Sequence, residues 1–178
     1  MTAMGTPWDY LIVTASNDLQ AAAYSRQLDL RRSLGALGEA RDVLVLPDPE
    51  GQRVGSGGST LYCLREVLRR RLAGADRLDP RAWLACLGSL RILIVHAGGD
   101  SRRLPAYGPC GKLFVPMPGE GDGVILVSLF DRQIPTYFAL PPMAPDAGQV
   151  VVTAGDALVL FDPQTLAFAP SALATYLG

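Results

Sequence analysis

Apolar residues along this chain fall in short solid blocks, separated by stretches whose apolar positions recur at helical spacing. Tyr10-Leu11-Ile12-Val13 is a β-rich run that predicts a buried strand. Asn17 or Asp18 can cap a helix carrying Leu19, Ala22, Ala23, Leu30 and Leu34, ending near Gly35 or Gly38. Val43 to Leu46 reads as a second strand, stopped by the turn chemistry of Pro47-Asp48-Pro49-Glu50-Gly51. The glycine-serine loop Gly55 to Thr60 then leads into a helix with Leu61, Leu64, Val67, Leu68 and Leu72 on one stripe. Arg65, Arg69, Arg70 and Arg71 fall mostly on its other side and read as a solvated face. Asp79-Pro80 makes a cap-and-first-turn pair for a short helix through Leu87.

Arg91 to Val95 is the clearest buried strand, and it runs directly into His96-Ala97-Gly98-Gly99. A long proline- and glycine-containing loop follows, and Gly119 to Gly123 is an acidic turn. Ser128 to Leu140 has helical character that Pro135 should kink or break. Gln149 to Thr153 is the last strand, ending at Gly155-Asp156. Strands alternating with helices imply an α/β fold around a mostly parallel sheet. In such sheets ligands bind beyond the carboxyl ends of strands, near the point where strand order reverses. The loops 96–112 and 155–156 both lie at such ends. No internal repeat or long linker divides the chain, so residues 1–178 are read as one unit.

Composition narrows the function. A formal net charge of -1 offers no basic field for nucleic acid. No apolar run approaches the roughly 20 residues of a membrane helix, and the first residues lack a signal-peptide pattern. The expectation is a soluble cytoplasmic protein with no membrane partner. Cys63, Cys86 and Cys110 are odd in number and lack CxxC spacing, which favours reduced thiols over a disulfide frame or zinc site. The basic residues are arginines except for Lys112, and the one histidine is His96. Both rare residues sit in the same glycine-rich stretch.

That stretch has the chemistry of a phosphate site. Glycines directly after a strand let the backbone approach a ligand and turn N–H groups toward phosphate oxygens. Arg103 can neutralise phosphate charge with a planar fork, and Lys112 with a compact point charge. Attack of one phosphate on another is opposed by charge repulsion, so positioning and neutralisation are the main catalytic needs. Leu113 follows Gly111-Lys112 where a Walker A loop requires Ser or Thr, and the three-glycine dinucleotide fingerprint is absent. Gly55, Gly57 and Gly58 precede a helix start, which suits either nucleotide contact or a plain turn. His96 reads as a satisfied histidine behind the loop, because an attacking phosphate is already ionised and needs no base. Asp100 can approach ribose or metal, or face solvent, and Asp162 reads as a helix cap.

The string Ala97-Gly98-Gly99-x-Ser101-x-Arg103-Leu104 with distal Lys112 resembles the signature loop of sugar nucleotidyltransferases. Its longer form, from His96 through Arg102, Arg103, Leu104 and Pro105 to Gly111-Lys112, is similar to the fucose-1-phosphate guanylyltransferase branch, the GDP-L-fucose pyrophosphorylase part of bifunctional fucokinase proteins. Pro47 to Gly51, Arg53 to Gly58, Thr153 to Leu158 and Phe161-Asp162 resemble that branch too, as do Trp8-Asp9 and Thr14-Ala15. The resemblance is collinear from Trp8 to Asp162.

It implies the N-terminal, nucleotide-binding portion of a Rossmann-like sheet of the nucleotidyltransferase (GT-A-like) type. It also implies that the triphosphate lies against Ala97, Gly98, Gly99, Asp100 and Ser101. Arg103 would contact the β- and γ-phosphates, Lys112 the reacting phosphates, and Asp156 would help hold Mg²⁺. The partners implied are GTP and a sugar 1-phosphate, L-fucose 1-phosphate in this branch. Ser101 and Arg102 replace the Gly and Thr common in the wider superfamily. That superfamily continues through a sugar-binding half and a second metal-binding acid, and bifunctional members carry a kinase domain. Nothing here corresponds to these, so the expectation is a truncated unit whose missing portion could lie on another chain. Three readings stay open: an active nucleotidyltransferase of this or another sugar or base, a noncatalytic nucleotide-binding module, and a fragment lacking the sugar-binding half.

Overall fold

The computed structural model describes residues 7–99, 111–118, 126–144 and 147–167. Among them, strands β1 (Trp8–Ala15), β2 (Ala40–Pro47), β3 (Arg91–His96) and β4 (Gln149–Ala154) form a sheet in the order β2-β1-β3-β4. Each neighbouring pair is parallel, with Val13 opposite both Val45 and Val95, and Val95 opposite Thr153. The chain leaves β1 for β2 on one side and comes back as β3 on the other. The order therefore reverses at β1, and the carboxyl ends of β1 and β3 border the crevice where such sheets take ligands.

Helices α1 (Asp18–Ser33) and α4 (Leu129–Phe138) pack on one face, against Trp8, Leu11, Val13, Leu93 and Val95. Helices α2 (Gly55–Arg71) and α3 (Pro80–Leu87) pack on the other, against Tyr10, Ile12, Ile92 and Ile94. Because successive strand side chains point to opposite faces, β1 and β3 must be apolar on both sides, and they read as unbroken hydrophobic runs. All eight residues of β1 are buried. The strand extends beyond its apolar centre because its polar ends find partners. Asp9 accepts the Arg91 backbone N–H at 2.9 Å and an Arg41 N–H at 3.1 Å, and the Trp8 indole donates to the Phe138 carbonyl at 3.3 Å. No helix among the described residues is long and apolar enough to cross a membrane.

Three local expectations are corrected. The buried stripe of α1 is Ala21, Tyr24, Leu28 and Arg31, whereas Leu19 is 86% exposed. Counting only apolar residues chose the wrong phase, because the core-facing row contains an arginine. Arg31 is 2% exposed and tolerates burial because Asp131 accepts from both its Nε and its Nη2, the latter at 2.6 Å. Ser128 Oγ and the Gln27 carbonyl take further guanidinium N–H groups, and Phe114 lies under the guanidinium at 4.8 Å. On the carboxylate, burial works to raise the Asp131 pKa, but the bonds from Arg31 and Ser128 outweigh it and hold the group ionised.

The second correction concerns α2. Residues Gly55 to Thr60 are its first turns rather than a separate loop, and the helix buries Ser59, Cys63 and Val67. Leu61 is 70% exposed and faces α3 across an open apolar groove. Burial, with Asp48 nearby, pushes the Cys63 thiol up to about 12, so it is an inert core thiol. Third, α4 runs through Pro135 without interruption. A full capping box between Ser128 and Asp131 starts it, and burial of Phe130, Ile134, Tyr137 and Phe138 offsets the one hydrogen bond that proline removes.

Arg31→Ala should lower unfolding free energy by about 3–5 kcal/mol, since it strands a largely buried carboxylate. Leu61→Glu should stay within about 0.5 kcal/mol of the parent. Chemical denaturation of the two variants checks both values, and equal effects would contradict the burial described.

Candidate nucleotide site

Three strand exits meet at the carboxyl edge of the sheet. Gly98, just past β3, lies so close to the end of β1 that a Cβ there would sit 3.4 Å from Ala15 C and Ser16 N. Glycine permits that approach. Past β4, the Gly155 N–H donates to the His96 carbonyl at 2.8 Å, which continues the β3–β4 ladder one residue beyond the strands. The Tyr24 hydroxyl, rising from α1, donates to the Ala97 carbonyl at 3.0 Å. The Gln20 carboxamide accepts the Ser16 N–H at 2.8 Å and reaches the Gly99 carbonyl at 3.5 Å.

The returning chain enters at Gly111, whose φ of 63° is left-handed. A side chain there would also overlap the Tyr24 ring, so the position admits glycine on both grounds. The next residue, Lys112, opens a short 3-10 turn anchored by buried Leu113 and Phe114. Its ammonium lies 2.8 Å from Asp156 Oδ2. A small pocket of about 50 Å³ is lined by His96, Ala97, Gly98, Gly99, Lys112 and Asp156 together with Leu113 and Gly155. It has room for a phosphate-sized group. Residues that are 44 apart in sequence thus bring one cation and one carboxylate to the same strand-exit backbone.

Asp156 is 50% exposed on its side chain, and no group of three or more His, Cys, Asp or Glu converges among the described residues. A single accessible carboxylate fits a Mg²⁺ that draws its other ligands from water and phosphate oxygens, and does not fit a cage made wholly of protein groups.

The first turns of α2 reach His96, which lines this pocket. Its N-cap residue Val54 supplies no side-chain cap, so the first turns rely on other contacts. One is Thr60 Oγ1, 2.8 Å from His96 Nε2. His96 Nδ1 lies 3.4 Å from Thr14 Oγ1, which also accepts the Ala97 N–H at 3.1 Å. Burial lowers the His96 pKa, and Asp48 at the end of β2 opposes that shift. Burial likewise raises the Asp48 pKa, against the lowering influence of Arg53 and His96.

Of the residues singled out in the sequence, Ala97, Gly98, Gly99, Lys112 and Asp156 are brought together, while Gly55, Gly57 and Gly58 occupy the first turn of α2. Asp100, Ser101 and Arg103 lie outside the described residues. Asp162 caps a short 3-10 turn by accepting the Gln164 N–H. Sequence reasoning gave no contact to Thr14, Gln20, Tyr24 or Thr60, although Thr14 and Thr60 lie in segments it singles out. The available signal at Thr14 was a polar residue within a run of buried apolar strand neighbours.

Comparison with known proteins bears on the same residues. The fucose pyrophosphorylase domain family matches residues 85–175, about half of the chain and all of β3, the pocket and β4. The chain belongs to this family. It is similar to the bifunctional fucokinase/GDP-fucose pyrophosphorylase of Arabidopsis thaliana, at 31% identity over 87% of this chain and 16% of the relative. It is also similar to the fucose-1-phosphate guanylyltransferase of Mus musculus, at 32% over 93% of this chain and 26% of the relative. The L-fucokinase/L-fucose-1-P guanylyltransferase of Bacteroides fragilis shares 36% over 66% of this chain and 12% of its own length. This fucose pyrophosphorylase family member therefore spans a quarter or less of the length of most of these relatives. No solved structure matches it.

Two outcomes follow for this edge of the sheet. Gly111→Ala should destabilise the fold by about 1–3 kcal/mol, through the strained φ and the clash with Tyr24, measured by denaturation. An unchanged midpoint would mean that the chain enters elsewhere. The second concerns pH. A histidine whose folded pKa is lowered binds protons more readily when unfolded, so stability is complete above 6.5 and declines as the pH falls below that value. Asp48, with its raised pKa, acts in the opposite sense, but lower, in the carboxylate range. The decline just below 6.5 should disappear in His96→Gln, because the chain has one histidine. A decline that persists there would assign it to another group.

Proposed function

We propose that this chain forms the nucleotide-binding part of a sugar-1-phosphate nucleotidyltransferase that converts GTP and L-fucose 1-phosphate into GDP-L-fucose and pyrophosphate. The observation that carries the reading is the Lys112–Asp156 pair, 2.8 Å apart against the Ala97–Gly99 backbone at the exits of β3 and β4. Relatives named for this activity supply the sugar and the base.

In this reading the Ala97, Gly98 and Gly99 backbone approaches the triphosphate and orients it. Lys112 neutralises charge on the reacting phosphates, and Arg103 does so on the β- and γ-phosphates. An oxygen of the sugar phosphate attacks the α-phosphorus in line, and the bond to the pyrophosphate oxygen breaks as the new one forms. The nucleophile is already an anion, so no protein base is required. Asp156 would hold Mg²⁺, whose charge, when bound, offsets that of the phosphate oxygens. The Lys112 ammonium meanwhile keeps the Asp156 carboxylate directed at the pocket. The work of the chain is positioning and charge neutralisation.

The test is to incubate the purified protein with Mg²⁺, mixed nucleoside triphosphates and a panel of sugar 1-phosphates, and to identify products by mass spectrometry. GDP-fucose is expected, and it should vanish in Lys112→Ala and Asp156→Asn while circular dichroism shows an intact fold. Wild-type activity in either variant would remove that residue from the mechanism. Arg103→Ala should weaken GTP binding far more than GMP binding, and equal losses would discard its β/γ-phosphate role. Nucleotide binding without turnover would favour the noncatalytic module.

A further inference from the structure

We propose that His96 is a positioning residue that, as its neutral Nε2–H tautomer, ties the first turns of α2 to the backbone leaving β3. The two glycine segments of the site are thereby held as one unit. The inference rests on the nucleotide-site reading above, but its geometry does not.

A hydroxyl faces each ring nitrogen. Thr14 Oγ1 accepts the Ala97 N–H at 3.1 Å on one lone pair and, in the proposed arrangement, donates its own hydrogen to His96 Nδ1, 3.4 Å away. Nδ1 is then the unprotonated nitrogen, and the ring proton sits on Nε2. From there it is donated to Thr60 Oγ1 over 2.8 Å. Both ring nitrogens are thus engaged by hydroxyls, and neither offers a lone pair to the pocket as a base or a metal ligand. The ring's own backbone is fixed as well, because the His96 carbonyl accepts the Gly155 N–H at 2.8 Å.

The need for such a tie is written in α2. Its first turns contain Gly55, Gly57 and Gly58, each weaker than alanine in a helix by up to about 1 kcal/mol. Its N-cap residue, Val54, makes no side-chain cap hydrogen bond. A helix start of that composition depends on tertiary contacts, and Thr60 is where a side chain from these turns meets the β3 exit across 36 residues of sequence. Burial of the imidazole, which favours its neutral form, agrees with this arrangement.

The presence of a single histidine makes the test direct. In protein labelled with ¹⁵N-histidine, without any ligand and at neutral pH, the ring should show a protonated Nε2 and an unprotonated Nδ1. The opposite tautomer, or an averaged imidazole, would overturn the proposal. Amide hydrogen exchange without ligand should quicken at residues 58–62 in His96→Leu and Thr60→Val, and leave the second half of α2 unchanged. Exchange that is unaltered in these folded variants, or raised over the whole helix, would also overturn it.

With Mg²⁺–GTP as probe, each variant should weaken binding by roughly five- to tenfold, the effect of one lost hydrogen bond. His96→Gln, which keeps a donor for Thr60, should recover most of that loss. The double variant should be no weaker than either single, and losses that add would refute the coupling. If the parent protein binds no nucleotide, the functional reading fails, while the tautomer and exchange results still decide the role of His96.

Discussion

The parallel pairing of β1 with β3 is the constraint on which the rest of the structure depends. It sets Val13 opposite Val95, so that the chain leaves both strands at the same level and Gly98 comes against Ala15 and Ser16. Slipping the register by one residue would turn every side chain of β3 to the wrong face and move His96 out of reach of Thr14. The pairing is secured at its far end by Asp9, whose carboxylate takes the Arg91 N–H, and along its length by burial on both faces. A site made from strand exits inherits its precision from that buried pair, which is rigid, while the connecting loops vary around it.

Electrostatics serve two purposes in this molecule. Two buried arginines are used for structure: Arg31 crosses the core to the Asp131 carboxylate, and Arg91 lies over the Trp8 ring at 4.2 Å while donating to Gln149 and to the Leu140 carbonyl. Such buried pairs add little net stability over apolar packing, yet removing one partner is costly, so they define which neighbours meet. The chain's one lysine lies at the pocket, a compact point charge on a flexible stem. Its partner Asp156 is half exposed, so their bond is screened and readily exchanged for a ligand.

The strands and the strand-to-glycine transition at His96 were legible because a doubly buried parallel strand has an unmistakable apolar run. The helix faces were less so. The α1 stripe was misread because Arg31 belongs to the core through a partner 100 residues away, which no local pattern announces. The start of α2 reads as a loop because glycine propensity argues against a helix, and a tertiary contact overrides it. Lys112 and Asp156 were legible by type and position. Thr14, Tyr24 and Thr60 were not, since their roles exist only once sequence-distant segments are side by side.

The central claim is that the exits of β1, β3 and β4 form a triphosphate site. Backbone ¹H–¹⁵N shifts recorded during titration with Mg²⁺–GTP test it most directly. The account predicts that the largest changes fall on Ala97, Gly98, Gly99, Lys112 and Asp156, with smaller ones at the start of α2. Changes centred on the apolar groove between α2 and α3, or no changes at saturating nucleotide, would contradict it.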